Sequence, residues 1–182
     1  MPEITNTVDA LESVRSVRQV RQYTPGDVPT DALNTILEIA RWSGSSRNTQ
    51  PWRFIVIDDK DMLKQLSELR ENITWVAEGA LAIAIVLPGQ NPPHEMYDMG
   101  RVTERIMIAA HMLGFGSGTA WFGEPEREAK AKTLLGVPDD MACPSVVVVG
   151  PYTTHKDPRP TGPKPGRKPL DELVSYGKYG EK

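Results

Sequence analysis

Apolar residues recur along this chain in two rhythms, one helical and one strand-like. Val8, Leu11, Val14 and Val17 are spaced by three and predict a short amphipathic helix, with basic residues gathered toward its end. Tyr23-Thr24-Pro25-Gly26-Asp27 breaks that pattern. Thr30 is expected to cap a second helix, whose buried stripe is Leu33, Ile36, Leu37 and Ala40. Trp52–Asp58 reads as a β-rich strand, and Asp59 as the cap of a helix carrying Met62, Leu63, Leu66 and Leu69. Ala80–Leu87 is continuously apolar, the pattern of a central strand buried on both faces. After a loop over Pro88–Pro93, Met99, Val102, Ile106, Ala109 and Leu113 trace a long helix that Gly114 ends. Gly114–Gly123 is a glycine-rich stretch holding Thr119, Trp121 and Phe122. Pro125 opens a further helix that closes near Gly136, and Ser145–Val149 is a third strand. From Pro151 to Pro169 the chain is proline-rich, polar and unable to build a core of its own.

Helices alternating with a few apolar strands predict a sheet covered by helices on both faces. The 182 residues suit one domain, 1–182, with an extended C-terminal tail over 151–182. That tail is long enough to wrap around a neighbour, a first pointer to a dimer.

Composition narrows the function by exclusion. A net charge of −3 gives no global attraction to nucleic acid or to anionic membrane. The single cysteine, Cys143, and three dispersed histidines, His94, His111 and His155, make no disulfide framework and no metal site. No apolar run approaches the roughly 20 residues needed to span a bilayer. The acidic N-terminus lacks signal-peptide character, so a cytoplasmic location is expected.

Two segments hold candidate binding chemistry. Ser45-Ser46-Arg47-Asn48-Thr49-Gln50-Pro51-Trp52 has more hydrogen-bonding side chains than a helix-to-strand connection needs. It reads either as the edge and face of a site for a planar polar ligand, or as a capped turn in which Asn48 and Ser45 bond the backbone and Trp52 fills the core. Arg15, Arg18, Arg21 and Arg47, with Arg167-Lys168 in the tail, read either as guanidiniums converging on one phosphate or as a solvated basic face. Phosphate loops, nucleophile elbows and zinc motifs are absent. Polar edges, glycine backbone and arginines without acid–base machinery suit a protein whose chemistry comes from a phosphorylated cofactor.

Residues 45–54, Ser-Ser-Arg-Asn-Thr-Gln-Pro-Trp-Arg-Phe, resemble the "Pro-Ser-x-x-Asn-x-Gln-Pro-Trp-x-Phe" segment of the nitroreductase family of flavoproteins. Arg18-Gln19-Val20-Arg21-Gln22-Tyr23, then Val28-Pro29, is similar to that family's "Arg-Ser-Val-Arg-x-Phe … Val-Pro" opening. Arg167-Lys168-Pro169-Leu170 resembles its closing "Arg-Lys-Pro-Leu", and helix 98–113 with Gly114-Phe115-Gly116 its "Ala-His-x-Leu-Gly-Leu-Gly". The resemblance implies an α+β fold, a three-layer α/β/α sandwich with a mixed central sheet, and a homodimer with FMN at the subunit interface. It implies that Arg18, Gln19, Arg21 and Arg167 hold the phosphate and ribityl chain. Ser45, Ser46, Arg47 and Asn48 would reach the ring from the second subunit, while Thr119, Ala120 and Trp121 line its edge with a backbone N–H near N5. Gln19 stands where the family usually has Ser, Gly44 where it has Pro, and Arg47 where smaller residues are usual.

The activity so implied is an NAD(P)H-dependent FMN oxidoreductase. It would pass hydride or electrons to a small acceptor, a nitroaromatic or quinone, by a ping-pong mechanism with no catalytic side chain. Two alternatives stand beside it: a reductive dehalogenase or flavin-modifying enzyme on the same fold, and a non-enzymatic flavin-binding or storage protein. Against the dehalogenase, residues 70–79 read as too brief for a lid that grips an amino-acid zwitterion.

Overall fold

The structure, a computed structural model, describes residues 7–153 and 167–181. The proline-rich stretch 154–166 with His155, and the first six residues, lie outside the described residues. Six helices and four strands follow one another as α1 (Thr7–Ser16), α2 (Thr30–Arg41), β1 (Arg53–Ile57), α3 (Lys60–Ser67), β2 (Leu81–Val86), α4 (Pro92–Met112), β3 (Gly116–Trp121), α5 (Pro125–Leu135), β4 (Ser145–Gly150) and α6 (Leu170–Leu173). Short 3₁₀ segments cover Ser46–Asn48 and Glu71–Glu78.

The strands form one sheet in the order β1-β2-β4-β3, with every neighbouring pair antiparallel. The parallel component is confined to an isolated bridge, Gln19 with Ser117, at the open edge of β3. β2 and β4 are the unbroken apolar runs, and both are buried along their whole length. Because side chains alternate across a strand, each run feeds two cores. Leu81, Ile83, Ile85, Val147 and Val149 pack against Ile36 and Ala40 of α2 and Met99, Val102 and Ile106 of α4. Ala82, Ala84, Val86, Val146 and Val148 face Leu63 and Leu66 of α3, Trp75 and Val76, and Ala131 of α5. The result is the three-layer sandwich. Each fully buried Leu, Ile or Val contributes about 1.5–3 kcal/mol of transfer free energy.

Local signals place most helix ends. Asp59 caps α3, its carboxylate accepting the Met62 N–H at 2.7 Å. Pro125 opens α5, and α4 and α5 stop ahead of Gly114 and Gly136. Thr30 behaves differently from expectation. Pro29 takes the capping position, and Thr30 is already the first helical residue, so its hydroxyl caps nothing.

The largest correction concerns Gly114–Gly123. Read from sequence only as glycine-rich, it contains β3, a fourth strand paired with β4 over all six of its residues. Gly116 and Gly118 stand where other chain segments come close. A Cβ on Gly118 would lie 2.3 Å from the Val20 carbonyl oxygen and 3.2 Å from the Trp75 ring. Glycine weakens a strand on its own, but here it admits the backbone of residues 19–21 onto the sheet.

Candidate functional site

Residues 18–23 leave α1 and run along β3, held by several independent contacts. The Val20 N–H donates to the Ser117 carbonyl at 2.8 Å. The Gln19 side chain bonds the Thr119 backbone twice, donating from Nε2 to its carbonyl at 2.7 Å and accepting its N–H through Oε1 at 3.1 Å. The Tyr23 hydroxyl lies 3.1 Å from the Val20 carbonyl and 3.2 Å from that of Val148, with one proton to share between them. Burial pushes its phenol well above the ordinary range, with the nearby Glu78 charge acting in the same direction.

The anchored segment forms one wall of a cleft of about 600 Å³, within the usual size range of ligand pockets. Arg21 and Gln22 face it from this segment, Thr119 and Trp121 from β3, and the opposite wall is residues 70–78. Arg21 holds its guanidinium 6.0 Å from the centre of the Trp75 ring. Among the described residues it has no ion pair or hydrogen bond, so its five N–H groups are available to an anion. Trp75 is buried, with its indole N–H donating to the Asn72 carbonyl at 3.0 Å.

The sequence-predicted residues divide into those the cleft gathers and those it does not. Arg21, Thr119 and Trp121 line it. Gln19 reaches it through Thr119 rather than directly, and it occupies the Thr119 N–H. Ala120 lies between the two lining residues but is fully buried, its side chain turned into the core with Phe122. Arg18 folds back on α1, donating to the carbonyls of Arg15 at 2.8 Å and Val17 at 2.7 Å. Arg15 is committed to Glu12 at 2.7 Å on an exposed face. Arg167 is exposed and does not line the cleft. Convergence of guanidiniums on the cleft is thus realised within one chain by Arg21 and Arg70, the second of which the sequence did not flag.

Ser45–Asn48 does not line this cleft and sits instead beside α4. Ser45 Oγ accepts the Gln50 N–H at 2.9 Å, the Ser46 N–H faces the buried Asp98 carboxylate at 3.4 Å, and Trp52 is core. The capped-turn reading therefore holds for Ser45 and Trp52. It does not account for the backbone, because Arg47, Asn48 and Gln50 all have positive φ, 50°, 56° and 49°. Left-handed backbone costs a residue with a side chain about 1–2 kcal/mol. Such strain persists only where the surroundings enforce it, and it clusters at binding surfaces. The exposed Arg47 and Asn48 side chains point away from their own chain's core. Gly44, where a proline was the expected residue, makes room for Arg101: a Cβ there would overlap its guanidinium.

Residues 70–78 are what sequence reasoning missed. Set aside as too brief for a lid, they form the far wall of the cleft through Arg70, Asn72, Thr74, Trp75 and Glu78. The available signal was a tryptophan beside polar residues directly before a buried strand.

Comparison with known proteins bears on this geometry. A protein-family model described as the Nitroreductase family matches residues 14–86, which include Arg18–Arg21, the 45–52 loop and the 70–78 wall. A protein of Archaeoglobus fulgidus named "Putative NADH dehydrogenase/NAD(P)H nitroreductase" is 32% identical over 156 residues, 82% of this chain and 88% of that one. The chain belongs to the nitroreductase family. Two solved structures share its fold. An FMN-dependent nitroreductase from Clostridium difficile superposes with a TM-score of 0.78 at 23% identity, covering 93% of this chain and 99% of that one. The NADPH:FMN oxidoreductase of Vibrio harveyi, complexed with NAD+, also gives 0.78 at 20% identity, covering 96% and 79%. As a nitroreductase-family chain, it presents β3 and residues 70–78 as the two sides of one cleft, with the guanidiniums of Arg21 and Arg70 facing it. No helix among the described residues is long and apolar enough to cross a membrane.

Proposed function

We propose that this protein is an FMN-dependent oxidoreductase that takes hydride from NADH or NADPH and reduces a small acceptor, a nitroaromatic or a quinone, by a ping-pong mechanism. The observation that carries the reading is Arg21. In a nitroreductase-family chain, this guanidinium without an acidic partner faces a cleft bounded by Trp75, Thr119 and Trp121. The lining fits FMN through a cation for an anionic edge or phosphate and tryptophan surface for a flat ring, while the Thr119 backbone and hydroxyl are engaged by Gln19 and Met107.

Bound in this cleft, FMN supplies the hydride-accepting and electron-donating chemistry. The chain's own contribution is orientation and charge. Arg21 stabilises negative charge that develops in the cleft, in a position fixed before reaction by Tyr23 and the Val20–Ser117 bond. Gln19 positions β3 relative to Arg21 and keeps the Thr119 backbone engaged. Trp75 closes one side and excludes water. Arg18 and Arg167 are the remaining phosphate candidates, and Arg18 would have to leave its bonds to the Arg15 and Val17 carbonyls. No acid–base side chain is required: Tyr23 and Cys143, both held protonated by burial, do not line the cleft.

The reading includes a homodimer in which Ser45, Ser46, Arg47 and Asn48 of one copy complete the cleft of the other. The strained, outward-facing loop supports this. So do exposed apolar side chains that an isolated chain leaves in water, among them Leu11 and Val14 on α1, Tyr97 and Met112 on α4, and Leu170 and Leu173 on α6.

The purified protein should be yellow, run at twice its 20.2 kDa mass in light scattering, and bleach on anaerobic addition of NADH or NADPH. A colourless protein that takes up no FMN from solution would refute the assignment.

A further inference from the structure

Next to the cleft, the guanidinium of Arg70, which lines it, and that of Arg127, which does not, both approach Gly123 just past the end of β3. Arg70 is half-buried at the start of the 70–78 wall and donates one N–H to the Trp121 carbonyl at 3.1 Å. Arg127 projects from the first turn of α5. Both converge on Gly123, which has φ +95° and no side chain. A Cβ placed there would lie 3.3 Å from Nη1 of Arg70 and 3.5 Å from Nη1 of Arg127. Two like charges so close repel each other unless an anion lies between them. The available counter-charge is poor. Arg70 has no ion pair among the described residues, and Arg127 has only a loose contact of 3.8 Å to Glu124, whose side chain is 67% exposed. Glu78 also faces the cleft, without an ion pair to either arginine.

We propose that Arg70 and Arg127 form a seat over Gly123 for an anionic group on a molecule that visits the cleft. The identity of that molecule rests on the oxidoreductase reading. The group is a phosphate of the pyridine nucleotide or a carboxylate on the electron acceptor, since paired guanidiniums recognise both by charge-assisted hydrogen bonds. Because Gly123 has no side chain, both guanidiniums can close over its backbone, and Trp121, which is 37% exposed, lies two residues away as a surface for an attached ring.

The test uses the FMN-saturated protein and inorganic pyrophosphate as the probe in titration calorimetry. The wild type should bind it, with affinity falling about tenfold in Arg127→Ala and in Arg70→Ala, as expected when one charge-assisted bond is lost. Steady-state KM values then identify the source of the anion. A rise for NADH and NADPH in both variants assigns the seat to nucleotide phosphate. A rise in the ratio of KM for 4-nitrobenzoate to that for neutral 4-nitrobenzamide assigns it to an acceptor carboxylate. Pyrophosphate binding that is absent in the wild type, or equal in all three proteins, overturns the seat even if NAD(P)H is oxidised. Arginine-dependent binding in a protein that oxidises neither nucleotide supports the seat and refutes the oxidoreductase reading instead.

Discussion

Gly118→Ala introduces one methyl group at the point where three parts of the site meet. The new Cβ would lie 2.3 Å from the Val20 carbonyl oxygen and 3.2 and 3.3 Å from two carbons of the Trp75 ring. The ring has some freedom to tilt, but the carbonyl belongs to backbone already pinned on the other side by Tyr23. Restoring an ordinary contact moves Val20 by about 1 Å. That shift breaks or stretches the 2.8 Å bond from Val20 to Ser117 and the paired bonds between Gln19 and Thr119. Overpacking of this kind costs about 1–3 kcal/mol, and each net hydrogen bond adds about 1 kcal/mol. The expected loss is therefore about 2–5 kcal/mol, measured by urea unfolding at constant m-value. Because Arg21 rides on the same segment, FMN affinity measured by flavin fluorescence should fall as well. A variant within 0.5 kcal/mol of wild type, with unchanged FMN affinity, would show that residues 19–21 move freely over β3 and refute the argument (the ~0.5 kcal/mol limit is the usual scatter for a harmless substitution).

Two further predictions follow from buried groups. Glu95 is buried and its carboxylate accepts the N–H groups of Gly89, Gln90 and Asn91 at 2.8–2.9 Å, so Glu95→Ala leaves three donors without their acceptor. It should cost about 3 kcal/mol in urea unfolding, whereas a loss below about 1 kcal/mol would mean that water replaces the carboxylate. Burial, reinforced by Glu128, pushes the Cys143 thiol from its ordinary 9.0 up to about 12. The native protein should thus resist a thiol reagent at pH 8 and react once unfolded. The unfolded chain ionises this thiol near 9 while the folded one holds its proton, so stability falls as pH rises from about 9 toward 12. Cys143→Ala should lack that component of the slope in unfolding measured across the same window.

What the sequence determined alone were the features written in short-range chemistry. Two unbroken apolar runs became the central strands, Asp59 a cap and Pro125 a helix start, because burial, capping and proline geometry act within a few residues. Of the residues that the family resemblance names, Arg21, Thr119 and Trp121 line the cleft. The tertiary structure decided the rest, through contacts between residues far apart in the chain. β3 is a strand because β4 and the 19–21 segment pair with a backbone that glycine leaves bare, and glycine content alone reads as irregular. Arg70 and Trp75 line the cleft only because residues 70–78 fold back across β3. Likewise, Gln19 and Arg18 carry the family's positions, yet their nearest hydrogen-bond partners are the Thr119 backbone and the end of α1. Spacing along the chain names which side chains are available; only their packing decides which of them remain free to meet a ligand.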